Sequence, residues 1–244
     1  MRKLRREAPV PGKKSRLAAA VAVAGACALL AACSPVKVGA AAIVGNDRIT
    51  TSSLNDEVSN LQQAVAQYHL QSALPASDYP VAVLTWLVRF KIQDQAAQNA
   101  GITVTPGEIS TALNQLDSQE RAAAQQQSQN YPGLDPLLVA NGVPPNLDND
   151  FGQWQAQQAA FLAKANGGKA PATQAEETAA IGKLNTAQCQ VVKSVGVQVN
   201  PQYGQLNYQV SSGQGVWGVT TSVATLSRAG GAATATTAPA SAAC

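Results

Sequence analysis

The chain has 244 residues, 45% apolar, 13% charged and 5% aromatic, so its length suits one or two domains with a core built mainly from aliphatic side chains and alanine. A single histidine, His69, excludes His–Cys zinc sites and the two-histidine helix of zinc proteases. The net charge of +3 includes seven basic residues that precede residue 17, and from Cys33 onward 10 basic and 13 acidic side chains give −3, which excludes the basic surface of a nucleic-acid-binding protein.

The N-terminal segment is predicted to be a secretory leader. Its basic residues are followed by an uncharged apolar run over residues 17–32, which is the arrangement of a signal peptide. The run ends in Leu30-Ala31-Ala32-Cys33, which matches the bacterial lipobox. This match implies cleavage before Cys33 and a diacylglyceryl group on its sulfur. Acylation would hold the protein at the cell membrane, facing outside the cytoplasm.

Two short strands and an amphipathic helix are predicted next. Residues 40–49 read as strand, Gly-Asn-Asp turn and strand. The hydroxyls of residues 50–53 can cap a helix, and the apolar residues that follow recur at spacings of three and four. These residues are Leu54, Val58, Leu61, Val65 and Tyr68.

Further helical segments follow in chain order. Residues 81–100 are apolar over so much of the helical circumference that other elements must surround this segment. Thr105 with Glu108, and Thr173 with Glu176, form two capping boxes, which are specific signals for a helix start. The predicted segments are residues 81–100, a third helix from 106, a short element over 135–140, a fourth helix over 146–165 and a fifth from 174 that ends at Gly196.

A period of two returns after the last helix. Residues 197–199 and 206–210 alternate apolar and polar side chains, and they lie about 150 residues after the first strands. Because a lone two-stranded hairpin is marginally stable, the two β regions are expected to pair with each other. The predicted organisation is a signal peptide over 1–32, a membrane tether over 33–39, a domain over 40–210 and a low-complexity, disordered tail over 211–244.

The order of these elements resembles the SurA N-terminal domain family, which also underlies the PrsA-type extracellular foldases. Three stretches carry the resemblance: 41–50 (AAIVGNDRIT), 84–108 (ending in AGITVTPGE) and 197–204 (VQVNPQYG). Gln202 stands where the family usually has Arg, and Leu206 and Asn207 stand where Trp-Asp is common. The resemblance implies a mainly α, helical chaperone domain with a small β element that pairs the N- and C-terminal segments.

No catalytic residue, metal ligand or cofactor site is predicted. Larger members of the family insert a parvulin prolyl isomerase domain, but only residues 166–172 separate the fourth and fifth helices here, so we expect no such domain. The carboxylate pairs lie in the first turns of helices, where negative charge favours the helix dipole. These pairs are Asp56-Glu57, Asp148/Asp150 and Glu176-Glu177.

Apolar side chains remain as the candidates for binding. If the second helix and its neighbours leave them exposed, they form a cradle for extended segments of unfolded clients. The candidates are Val83, Trp86, Phe90, Phe151 and Trp154. The alternative is that all five fill the core. Cys189 and Cys244 could form a disulfide in an oxidising compartment, and two unpaired thiols are the alternative.

These observations favour a membrane-anchored, non-enzymatic lipoprotein that binds unfolded or exported polypeptides outside the cytoplasm. One alternative is a structural or accessory cell-envelope lipoprotein with a single dedicated protein partner. A second alternative is a foldase of the prolyl isomerase type, which the missing insertion disfavours.

The anchor can be tested by replacing Cys33 with Ser. The variant keeps the leader but loses the sulfur that accepts the lipid, so Cys33→Ser should abolish fatty-acid labelling and release the protein from the membrane fraction. Fractionation of cells grown with a labelled fatty acid measures both. A variant that stays labelled would show that Cys33 is not the acylation site.

Overall fold

The computed structural model describes residues 38–70, 74–211, 214–220 and 236–239, and this part of the chain is mainly helical with two small antiparallel sheets. Its elements are β1 (Ala40–Val44), β2 (Asp47–Thr50), α1 (Thr51–Gln67), α2 (Tyr79–Asn99), α3 (Pro106–Gln126), α4 (Leu134–Ala140), α5 (Asp148–Ala165), α6 (Gln174–Val195), β3 (Val197–Val199), β4 (Gln205–Ser211), β5 (Gln214–Thr220) and β6 (Thr236–Pro239). Short 3-10 turns over Ala76–Asp78 and Pro145–Leu147 lead into α2 and α5. The predicted leader and Cys33 lie outside the described residues.

Side-chain caps define three of the helix starts. The Thr50 hydroxyl accepts a hydrogen bond from the Ser53 N–H at 3.0 Å at the start of α1. Both predicted capping boxes are present, at Thr105 for α3 and Thr173 for α6. In each box the glutamate carboxylate accepts backbone N–H bonds, which lowers the pKa of Glu108 and of Glu176. The local sequence therefore fixes where these helices begin.

Strand β1 joins the two ends of the helical region. It pairs antiparallel with β2 on one side and with β3 on the other, with Ala42 opposite Val199 and Val44 opposite Val197. The Asn200 N–H extends this contact by donating to the Ala41 carbonyl at 2.8 Å. The predicted pairing between the N- and C-terminal β regions is thus confirmed for residues 197–199, whereas residues 206–210 belong to the second sheet.

Helix α2 is the most deeply buried helix of the described chain. Apolar side chains around its whole circumference are covered, and the helix packs against α1, α5, α6, β1 and β5. The fully buried residues include Val83, Leu84, Val88 and Ile92, each at most 1% exposed. The expectation of a surrounded second helix is confirmed.

The second sheet extends the folded domain beyond the predicted boundary at residue 210. Strand β4 runs through that boundary, and β5 pairs antiparallel with it. Gln205 lies opposite Thr220 at one end of this ladder, and Ser211 lies opposite Gln214 at the other. On β5, Trp217 is 2% exposed and Val219 is fully buried against the core. Strand β6, also inside the predicted tail, pairs with the other edge of β4. The prediction missed β5 because only its few apolar side chains, spaced by two, distinguish it from the small polar residues around it.

Helices α3 and α5 approach closely at Gly152. A Cβ placed on Gly152 would lie 2.8 Å from Cγ of Leu113 and 2.9 Å from Cγ2 of Ile109, which is closer than real Cβ contacts. The glycine therefore lets these helices pack at this distance. On α6, by contrast, a Cβ on Gly182 would meet nothing within 4 Å.

These two glycines make a matched pair of substitutions. Gly152→Ala should lower the free energy of unfolding by about 1–3 kcal/mol, because the added methyl overpacks the α3–α5 contact. Gly182→Ala should raise it by about 0.5–1 kcal/mol, because alanine is the better helix former and the position is open. Urea unfolding monitored by circular dichroism measures both. Equal effects at the two positions would contradict the close packing of α3 on α5.

Candidate functional site

Four aromatic rings from α2 and α5 form one cluster. The centre of the Trp86 ring lies 5.4 Å from that of Phe151 and 5.5 Å from that of Trp154, and both pairs meet edge to face. It lies 5.8 Å from the centre of the Phe90 ring. The Trp86 indole N–H donates to the Asn141 carbonyl at 3.0 Å. Leu138, Val143 and Leu147 complete the core of this cluster.

The cluster is an interior feature and not an open cradle. Phe90 and Phe151 are 6% and 5% exposed, and Val83 is fully buried in a different cluster with residues of α1 and β1. Trp86 and Trp154 are half-buried. Of the five predicted client-binding residues, Val83, Phe90 and Phe151 therefore lie in the core, because neighbouring elements cover the faces of α2 and α5 that carry them. In the described part of the chain, Val38 is the only large apolar side chain that is fully exposed.

A cavity of about 200 Å³ lies between α2, α5, α6 and β5. Its apolar wall consists of Ile92, Trp154, Leu162, Ile181, Leu184 and Trp217. Its polar side chains are Arg89, Gln158, Glu177, Asn185 and Gln188. Trp154 is the one predicted binding residue that lines it. The cavity thus combines apolar surface with side-chain amides and one charge of each sign.

Two contacts hold the guanidinium of Arg89 at this cavity. Its Nε donates to the Trp217 carbonyl, and its carbon lies 4.8 Å from the centre of the Trp86 ring. Cation–π and hydrogen-bond contacts of this kind fix the plane of an arginine side chain. Strand β5, the element missed by the sequence analysis, therefore positions the cation of the cavity.

A layer of buried amides adjoins the same end of the cavity. The Gln188 Nε2 donates to Oε1 of Gln93 at 2.6 Å, and Gln93 is fully buried. Within the described chain, Nε2 of Gln93 and the indole N–H of Trp217 are buried without a hydrogen-bond partner. Orphaned buried donors are unusual in folded proteins and call for an explanation. Polar residues inside a wrapped apolar helix, Arg89 and Gln93, were the sequence signal that could have indicated this site.

The ionisable residues do not form a metal-binding cluster where the structure describes them. No group of three or more His, Cys, Asp or Glu residues could hold a metal ion within the described ranges. His69 lies exposed at the end of α1 with a φ of 51°. Glu176 of the predicted carboxylate pairs is a capping residue.

Asp148, at the start of α5, is the most perturbed carboxyl group. Burial, with repulsion from Asp135, raises its pKa from 3.8 to about 6. Its Oδ1 is buried without a hydrogen-bond partner in the described chain. Burial also raises the pKa of Asp150, which lies two residues further along the same helix.

The cysteines are described only in part. Cys189, half-buried on α6, is disulfide-bonded. Its predicted partner Cys244 and the predicted lipidation site Cys33 lie outside the described residues, so this pairing stays a prediction.

Comparisons with known proteins add no assignment. No protein-family model matches the chain, and no curated protein or solved structure matches it. In the part of the chain that the structure describes, no helix is both long enough and apolar enough to cross a membrane.

The raised pKa of Asp148 predicts a pH-dependent stability. Above pH 6 this carboxylate is charged in both states, but only the folded state buries the charge. The raised pKa therefore corresponds to a loss of stability in that range. As the pH falls from about 6 to the ordinary value of 3.8, the folded state takes up the proton first and stability is gained. Asp148→Asn cannot take up this proton, so the variant should lack this gain and the difference in stability between wild type and variant should depend on pH.

Thermal unfolding at pH 8 and at pH 5 measures this effect. The Tm of the wild type relative to Asp148→Asn should be higher at pH 5 than at pH 8. Asp56→Asn, which removes the same charge from an exposed position on α1, controls for the change in net charge. A constant difference between wild type and Asp148→Asn at both pH values would refute the buried-carboxylate account.

Proposed function

We propose that this protein binds polypeptide segments outside the cytoplasm without catalysing a reaction on them, and that acylated Cys33 holds it at the membrane. The observation that carries the proposal is the cavity between α2, α5, α6 and β5. Its apolar wall suits an aliphatic or aromatic side chain of a bound segment. Its amide side chains suit the main chain of that segment, because an amide both donates and accepts hydrogen bonds, as a peptide group does.

The lipobox and the resemblance to the SurA N-terminal domain family support the same proposal. Both concern exported proteins, and the family is one of chaperones and foldases. The chain would then act as a helical chaperone domain of this type, without the parvulin insertion. Its clients would be unfolded or exported polypeptides.

A specific observation favours a second candidate, an accessory lipoprotein with one dedicated partner. Chaperones that hold many unfolded chains present wide apolar surfaces. Here Phe90 and Phe151, two of the residues expected on such a surface, lie in the core, and the cavity between α2, α5, α6 and β5 has a volume of only about 200 Å³. A site of that size selects one or two side chains, which suits a single partner.

An aggregation assay separates the two candidates. The full chain, purified in detergent, is mixed with several unrelated unfolded proteins, and light scattering is followed over time. A chaperone should suppress the aggregation of most of them at near-equimolar ratio, whereas a dedicated accessory protein should suppress none. Detergent alone and an unrelated acylated lipoprotein serve as controls. Suppression by the control lipoprotein to the same extent would remove the support for a chaperone.

A further inference from the structure

We propose that the edge of strand β4 that β6 covers binds an extended segment of a partner polypeptide, and that β6 is the chain's own occupant of this site. In this mode of binding a strand adds to a sheet through main-chain hydrogen bonds, which tolerate many sequences. The inference rests on the proposed function, because it names a way in which the polypeptide is held.

The opposite edge of the same sheet is closed by helix α2. The Val219 N–H of β5 donates to Oγ1 of Thr85 at 3.0 Å, and the Trp217 carbonyl accepts a hydrogen bond from Nε of Arg89. Thr85 and Arg89 lie one turn apart on α2, so they face β5 together. Side chains of the helix therefore make the hydrogen bonds that a further strand would make at this edge.

The bond to Thr85 also shows which backbone groups of β4 face β6. Because the Val219 N–H points to α2, it faces away from β4, and the opposite residue, Leu206, therefore directs its own groups away from β5. Backbone groups alternate along a strand, so those of Tyr208 and Val210 face the same way as those of Leu206. These groups lie at the edge that β6 covers.

Strand β6 is held on this edge by two of its residues. Ala238 and Thr236 lie opposite the two residues of β4 whose groups face β6. Pro239 has no N–H, and it lies opposite Asn207, whose backbone groups face β5. The proline thus stands where the ladder needs no donor, as prolines of edge strands do.

The short β6 covers the edge incompletely. It pairs with residues 207–210, whereas β5 pairs along all seven residues of β4. Alanine and proline, two of its four residues, are depleted in strands. Residues 221–235 separate it from β5, so its pairing closes a loop at a cost in conformational entropy. A longer strand with β-branched residues can therefore replace it.

Replacement of β6 offers a partner strand more than addition outside it does. On the outer edge of β6 the backbone groups of Thr237 and Pro239 face outward, and the proline has no N–H to donate. Short strands and prolines at edges are known to prevent pairing with other chains. The partner strand therefore binds β4 itself, in the place of β6.

Binding of a strand-forming peptide to the full chain in detergent tests this inference. The probe is the fluorescein-labelled heptapeptide Lys-Thr-Val-Thr-Val-Ala-Lys, and binding is followed by fluorescence anisotropy without reductant, so that Cys189 keeps its disulfide. The same peptide with two consecutive central residues N-methylated has lost a donor on each of its edges. It should bind about tenfold more weakly.

Two proline substitutions in β6 form a matched pair. Ala238→Pro removes an N–H that faces β4, so β6 should be released more easily and the peptide should bind about tenfold more tightly than it binds the wild type. Thr237→Pro removes an N–H that faces away from β4, so this variant should bind as the wild type does. Equal binding by the two variants, or equal binding of both peptides to Ala238→Pro, would overturn the proposal.

Hydrogen exchange followed by NMR shows whether Ala238→Pro acts at the strand edge. The amides of Tyr208 and Val210 should exchange about tenfold faster than in the wild type, and saturating peptide should restore their protection. The amides of Asn207 and Gln209, which face β5, should stay protected throughout. Unchanged exchange of Tyr208 and Val210 would refute the strand arrangement on which the proposal depends.

The two proposals fail in different ways. If the peptide does not bind Ala238→Pro but the full chain suppresses aggregation, the strand site is wrong and polypeptides bind elsewhere on the protein. If the peptide binds with the expected pattern but aggregation is not suppressed, the edge of β4 serves a dedicated partner. Failure of both measurements removes the support for polypeptide binding.

Discussion

The structure depends on the need to cover helix α2 on every side. Few of its apolar side chains can face solvent, so α1, α5, α6 and the strands on both sides of the helical region must pack around it. Its polar residues set further conditions. Thr85 accepts a hydrogen bond from the Val219 N–H of β5 at 3.0 Å, and Gln93 accepts one from Gln188 of α6. These buried bonds allow β5 and α6 to sit against α2 only in one register, since any shift would leave buried polar groups unpaired.

Covering one helix from both ends of the chain explains the role of the small sheets. β1 lies before α2 in the chain and β3 lies about 150 residues later, yet they form a single ladder beside the core. This ladder supplies hydrogen-bond partners to backbone groups at both ends of the domain. It also packs Val44 and Val197 against the hydrophobic core. β5 completes the cover from the other direction with Trp217 and Val219. Neither end of the domain could be removed without exposing α2.

The sequence allowed the helices to be predicted better than the contacts between them. Thr105 and Thr173 are recognisable as caps because capping depends on residues three positions apart, and the pairing of β1 with β3 followed from the marginal stability of a lone hairpin. β5 was missed because its strand pattern rests on a few side chains among small polar residues, and its stability comes from distant partners on α2. The cavity could not be predicted for the same reason. Its lining residues come from four elements that are spread over more than 100 residues of the chain, and only their packing places Arg89 beside Trp217.

The burial of the predicted binding residues follows from the same need to cover α2 on every side. A helix whose whole circumference is apolar can present an open cradle only if some of its neighbours are absent, and in this chain α5, α6 and β5 are all present. Phe90 and Phe151 are therefore buried in the core. The cavity lies where Arg89 of α2 meets α5, α6 and β5, because a guanidinium is not packed by apolar neighbours as closely as a leucine is. A charged side chain within an apolar helix thus interrupts the close packing of its neighbours, and the cavity lies at that position.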